Sequence, residues 1–272
     1  MKVFAAAVLA AAVLMAQSAS QTAYKPAVLR NVGIDQKMGA QVPLDIPFAD
    51  EDGRPTSLRR FTGKPMVLAL VYYSCPSLCN MVLNGVVRSA KELRMTAGVE
   101  FNVVAVSFDP RETPEMAKAK KASYVREYNR SGGERGFHFL TGEEASSRML
   151  ADAVGFHYAY DSVSNQYAHA SAIMILTPEG RVARYFYGID YPPRDLRFGI
   201  EEASGGKISS PVDAVLLYCY HYDPSNGKYG LVIMNALRIG GGLTLAVLLG
   251  FVAIMLRRDF RAAHPSAHPR TS

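Results

Sequence analysis

Residues 65–73 read Pro-Met-Val-Leu-Ala-Leu-Val-Tyr-Tyr, an uncharged apolar run bounded by Gly63 and Ser74. It is too short for an ordinary buried helix and is expected to be a strand covered on both faces. Two cysteines follow, Cys75 and Cys79. Beyond them Leu78, Val82, Val86 and Leu93 recur at near-helical spacing, with Arg88, Lys91 and Arg94 on other faces, until Gly98 closes the pattern. That predicts an amphipathic helix. Residues 99–108 return to strand composition. Strand, helix and strand joined by short connections pair in parallel through a right-handed crossover, so the chain is expected to build an α/β core around this unit.

The rest of the chain fits that frame. Residues 21–64 are rich in Pro and Gly, with an alternating piece at 42–48 and a turn signal at Asp50, Glu51, Asp52 and Gly53, which predicts extended structure and a hairpin. Pro114 opens a second helix through Met116, Ala119, Tyr124 and Tyr128, residues 137–140 form a short strand, and 142–154 a third helix. Residues 171–176 and 181–187 read as a hairpin about the turn Thr177 to Gly180, followed by a helix over about 193–203.

Both ends carry hydrophobic segments. Lys2, the apolar run of residues 3–16 and the small residues Ser18, Ala19 and Ser20 have the layout of a secretory signal peptide over 1–20, cleaved after Ser20. Residues 239–256 contain no charge, and Arg257, Arg258 and Arg261 follow at once. This pattern predicts a transmembrane helix over 235–256 with its basic tail, 257–272, in the cytoplasm. Everything between the two segments then lies outside the cytoplasm: a linker at 21–32, a folded domain at 33–205 and a juxtamembrane segment at 206–234. The net charge of +6 contains +3 from the tail, and the remainder is scattered among acids. No basic stripe interleaved with aromatics speaks for nucleic acid. His264 and His268 fall in the Pro-containing tail and are not read as metal ligands.

Of three cysteines, Cys75 and Cys79 belong together. They stand where a strand ends and a helix begins, and the partial positive charge of a helix N-terminus favours thiolate. Residues four apart share a helix face, so both sulfurs can address one point. Two soft thiolates suit Cu(I) or zinc, and the pair could also close a disulfide or exchange thiols. Dithiol oxidoreductases usually separate their cysteines by two residues, whereas three intervene here; Asn80 after Cys79 excludes the haem-attachment motif.

The stretch from Leu44 through Phe48, Asp52, Gly53, Arg54, Phe61, Gly63, Lys64 and Pro65 to Cys75, Pro76 and Cys79 resembles the Sco/SenC copper proteins. Ser107 to Thr113 looks like the loop after that family's second core strand, and Tyr167, Ala168, His169, Ala170 and Ser171 resemble its histidine motif. The resemblance covers roughly residues 33–203. It implies a thioredoxin-like fold, a central mixed sheet flanked by helices, in which Cys75, Cys79 and His169 bind one copper ion as Cu(I) or Cu(II). A neutral imidazole adds a borderline donor to the two thiolates. His169 is expected on a loop at the sheet edge, just before the strand at 171–176.

The resemblance further implies a copper metallochaperone that serves the dinuclear copper centre of a cytochrome c oxidase, with an upstream copper donor, the oxidase's copper-bearing subunit and the membrane as partners. The place would be a bacterial inner membrane, single-pass, with the domain on the periplasmic side. The same residues allow a thiol-disulfide reductase using Cys75 and Cys79 as a redox-active pair, or a redox or copper sensor. Asp109 is a candidate for supporting the site or contacting a partner, or else a turn residue. His138 and His157 lie among aromatics and are read as structural. Tyr72, Tyr73, Tyr158, Tyr160 and Tyr167 either wall the site or pack the core. Cys219 and His221 precede the membrane segment and could form a second metal site, a free thiol or a lipidation site. The family's commoner anchor is N-terminal, so the C-terminal segment here is a departure.

Overall fold

Met66–Val71 forms strand β4, in which all six side chains are buried. The computed structural model describes residues 32–76, 78–207, 222–223, 228–229 and 231–262, with the side chains of the last segment described over 239–255. In chain order the first strands are β1 (Gly33–Ile34), β2 (Phe48–Ala49), β3 (Pro55–Thr56) and β4. After β4 come helix α1 (Leu78–Glu92), β5 (Asn102–Ser107), α2 (Pro114–Tyr128) and a single helical turn at Gly133–Gly136. There follow β6 (Phe137–Leu140), α3 (Glu144–Ala153), β7 (Phe156–Asp161), β8 (Gln166–His169), β9 (Ala172–Leu176), β10 (Val182–Tyr187) and α4 (Pro193–Ser204).

The central sheet has the order β10-β9-β4-β5-β6. As expected from the crossover, β4 and β5 run parallel, in register from Met66↔Asn102 to Val71↔Ser107. β6 joins parallel to β5, whereas β9 pairs antiparallel with β4 and β10 with β9, so the sheet is mixed. The hairpin after Asp50 is present as β2 and β3, with Phe48 opposite Thr56. One continuous apolar core runs from Val42 to Ala203.

Helix α1 stops at Glu92, short of the expected Gly98. The Arg130 guanidinium donates to the carbonyls of Ala90 at 3.0 Å and Leu93 at 2.6 Å, satisfying groups that further helix would have used. Gly98 instead makes the turn into β5 at φ +85°, its N–H donating to the Phe101 carbonyl. A second difference is a small antiparallel sheet, β1-β7-β8, which the sequence pattern did not announce. It pairs Tyr158 with His169. His169 is therefore the last residue of a strand and not part of a loop.

The chain divides into two compact units, residues 1–209 and 210–272. In the second, the backbone shows a two-strand ladder of β11 (Tyr222–Asp223) and β12 (Lys228–Tyr229) and a helix, α5 (Leu231–Ala262). Among the described residues no helix is long and apolar enough to cross a membrane. The described side chains of α5, 239–255, stop short of the expected span 235–256. The signal peptide, Cys219, His221, His264 and His268 lie outside the described residues.

Candidate metal centre

Strand β4 delivers the chain to Cys75, and α1 begins three residues later, which puts Cys79 in the helix's first turn. Both thiols are free and nearly buried, at 5% and 1% exposure. The N–H of Tyr72 donates to Cys79 Sγ at 3.4 Å, and that of Cys79 to Cys75 Sγ at 3.5 Å. β8 brings His169 across, so that one donor atom from each of Cys75, Cys79 and His169 lies within 4.8 Å of the others.

The imidazole's orientation is informative. His169 Nδ1 lies 2.8 Å from the Ala170 carbonyl, which can only accept, so Nδ1 carries the proton. Nε2 then faces the sulfurs, 3.2 Å from Cys79 Sγ, and is the ring nitrogen left to bind a metal. A ring nitrogen fixed by a backbone carbonyl with its partner free is the usual preparation of a metal-ligating histidine.

The two thiols differ electrostatically. Cys75 is lowered to about 3, chiefly because Cys79 donates a hydrogen bond to it; burial opposes this, and His169, Tyr72 and the Cys79 backbone assist. Cys79 is raised far above an ordinary thiol, first by burial and then by the anionic Cys75 beside it. Of the two, Cys75 is the one biased toward thiolate and Cys79 the one biased toward thiol. The Tyr72 hydroxyl is likewise raised, by burial first and by Cys75 second.

Aromatic rings close the wall. The His169 imidazole lies edge-on to Tyr72 at 6.0 Å and to Phe108 at 5.4 Å, with Phe156 at 6.1 Å. Of the tyrosines expected to line the site, only Tyr72 touches the imidazole among these contacts. Tyr158 and Tyr167 pack behind it against Phe108, and Tyr160 is 44% exposed against Tyr167. Tyr73 turns into the core, donating to the carbonyls of Ala105 and Leu140. Phe108 and Phe156 are additions, and in sequence nothing separates them from other core phenylalanines.

Asp109, offered as support for the site, is buried and held by Arg111, whose Nε and Nη2 donate to its two oxygens at 2.8 and 2.7 Å. Arg111 in turn lies over the Tyr160 and Tyr167 rings at 5.3 and 5.8 Å. Asp109 thus steadies the aromatic wall through Arg111. His138 and His157 stay outside the centre, as expected. His138 packs on Phe61 with ring centroids 4.2 Å apart, and burial lowers it to about 4. His157 faces Asp35 at 2.9 Å.

Sequence reading passed over two side chains that hold the Cys75 loop. Glu112, 7% exposed, accepts the N–H groups of Tyr73 and Ser74 at 2.6 Å each. Asn80 Nδ2 donates to the Cys75 carbonyl at 2.9 Å, and Lys120 Nζ to Asn80 Oδ1 at 2.6 Å. The only signal for either was its place in a motif.

Similar proteins share this framework. A SCO1 protein homolog of Bacillus subtilis is 22% identical over 155 residues, 54% of this chain and 75% of that one. A solved protein of Aquifex aeolicus VF5 is 26% identical with a TM-score of 0.55, covering 62% of this chain and 95% of its own. Arabidopsis thaliana ScoI, solved with copper bound, matches at 18% identity and a TM-score of 0.50 over 61% and 99% of the two chains. BsSco, described as a member of the Sco family of cytochrome c oxidase assembly proteins with a disulfide switch, matches at 19% and 0.51 over 63% and 97%. The SCO1/SenC family pattern matches residues 36–202, which span the central sheet, both cysteines and the histidine: the chain belongs to the SCO1/SenC family.

Proposed function

We propose that the chain binds one copper ion through Cys75, Cys79 and His169 and serves as a metallochaperone in cytochrome c oxidase assembly, passing copper to the dinuclear centre of the oxidase's copper-bearing subunit. The observation that carries this is the convergence of two sulfurs with an imidazole nitrogen, Nε2, that faces them while Nδ1 is held by the Ala170 carbonyl. Two thiolates and one imidazole give a soft three-donor set for Cu(I), with a borderline nitrogen for Cu(II). The copper-bound Arabidopsis relative and the oxidase-assembly description of BsSco support the same reading. Transfer is ligand exchange: partner thiolates replace Cys75, Cys79 and His169 in turn, and copper keeps its oxidation state. The reading includes export by residues 1–20 and a single-pass anchor at 235–256 in a bacterial inner membrane, with the domain on the periplasmic side. An upstream carrier supplies the metal.

A second reading, a thiol-disulfide reductase acting on the oxidase's copper-ligand cysteines, is favoured by the thiolate at Cys75 beside a protonated Cys79. There the Cys75 sulfur attacks a partner disulfide, one partner thiol leaves, and Cys79 resolves the mixed disulfide, so that this chain ends oxidised and the partner reduced. A sensor would use the same redox change as a signal.

His169→Ala separates the readings. The variant loses a copper donor, so Cu(I) binding by the purified, reduced full chain in competition with a soft chelator should weaken at least tenfold, whereas reduction of a disulfide substrate should persist. Copper binding unchanged by either His169→Ala or Cys75→Ser would defeat the chaperone reading.

A further inference from the structure

The backbone between β4 and α1 must leave the sheet and place Cys75 without a regular ladder to hold it. Its N–H groups at Tyr73 and Ser74 need acceptors, because an unmet buried donor is costly. Both go to one side chain from the far side of β5. Glu112 Oε2 accepts from Tyr73 and Oε1 from Ser74, each at 2.6 Å, and Ser107 Oγ donates to Oε2 at 2.6 Å. The carboxylate therefore ties the end of β4 to the end of β5 and fixes the two residues before Cys75. Downstream, Asn80 holds the Cys75 carbonyl. Among the described residues no lysine or arginine pairs with Glu112. Its negative charge is met by three hydrogen bonds instead, and only an acceptor-only group satisfies all three donors at once.

We propose that Glu112 is a positioning residue for the metal centre: it sets where the Cys75 sulfur stands relative to Cys79 and His169. This rests on the copper reading for its first measurement and is independent of it for its second. Glutamine in place of Glu112 keeps the shape but turns an NH₂ group toward a donor, which releases one of the two N–H groups. Partners that orient metal ligands typically cost ~10–100-fold in affinity when removed.

The experiment uses the full chain, wild type and the variants Glu112→Gln and Glu112→Asp. Cu(I) affinity is measured by chelator competition, the Cu(II) complex by its thiolate charge-transfer absorption, and folding by circular dichroism. The expected result is a folded Glu112→Gln protein with Cu(I) affinity about 10–100-fold weaker and a shifted charge-transfer band, and Glu112→Asp between it and wild type. Affinity within twofold and an unchanged band in Glu112→Gln overturn the proposal. If Glu112→Gln fails to fold, Glu112→Asp decides: its carboxylate is drawn back by one methylene, and wild-type affinity and spectrum would overturn the proposal equally.

The second measurement needs no copper. The equilibrium of Cys75 and Cys79 with glutathione should move severalfold in Glu112→Gln, as the loop that sets the Cys75 sulfur beside Cys79 is released. A wild-type chain without Cu(I) affinity defeats the copper reading alone, and this equilibrium then decides: a shift upholds the positioning role and no shift overturns it.

Discussion

At the scale of single residues, the centre is defined by where its protons sit. The hydrogen bond from Cys79 biases Cys75 toward thiolate, while burial favours the proton on Cys79. A metal that binds both sulfurs must displace the Cys79 proton and none from Cys75. Cu(I) affinity should therefore rise about tenfold per pH unit above neutrality, and titration calorimetry in buffers of different ionisation enthalpy should find about one proton released per copper. Two protons released would mean that Cys75 is a thiol. His138 makes a prediction about folding. Burial lowers it to about 4 from the ordinary 6.5. The unfolded chain then binds more protons between those values, so stability is intact above about pH 6.5 and falls as pH drops toward 4, by about 3 kcal/mol in all. His138→Phe should flatten that acid limb in urea denaturation measured across pH. An unchanged limb would show that His138 is not its source.

At the scale of elements, α1 carries Cys79 and must sit closely on the chain that leads into α4. Gly85 makes the approach possible: a Cβ there would meet the Ile189 carbonyl oxygen at 2.1 Å and the Tyr191 ring at 3.2 Å. A backbone carbonyl cannot rotate away as a side chain can. Gly85→Ala should destabilise the domain by about 2 kcal/mol or more, read as a lowered denaturation midpoint. A wild-type midpoint would mean that this contact is looser than drawn. The legibility of the elements follows a physical divide. β4, α1 and β5 were readable because their apolar residues repeat at the period of the structure they form. β7 and β8 were not: Phe156, Tyr158 and Tyr160 do alternate with His157, Ala159 and Asp161, but tyrosine and histidine carry both apolar and polar character, so the contrast between the two faces is weak. His169 was thus found through the motif around it while its strand was missed. Glu112 carried no signal of its own in the sequence, since its partners at Tyr73 and Ser74 lie far back in the chain and only the parallel pairing of β4 with β5 brings them together.

At the scale of the whole molecule, every member of the apolar core among the described residues lies between Val42 and Ala203, within the first of the two compact units. The core and the Cys75, Cys79 and His169 cluster are thus both built from residues of the first unit. On the proposed reading, in which residues 235–256 anchor the chain, a chain ending at Ser209 should fold, bind Cu(I) as tightly as the full chain and leave the membrane fraction. What it should lose is delivery. In that reading tethering would confine carrier and oxidase to one surface, and a short flexible linker corresponds to an effective concentration of order millimolar, far above that of an untethered carrier. Copper loading of the oxidase in cells carrying the truncated chain should accordingly fall, and fusing an unrelated membrane helix after Ser209 should restore it, because the argument requires proximity and no particular sequence. If the truncated chain loads the oxidase at the wild-type rate, residues 210–272 are not needed for delivery. If the unrelated helix fails to restore loading while Cu(I) affinity is intact, those residues contribute a specific contact rather than proximity alone.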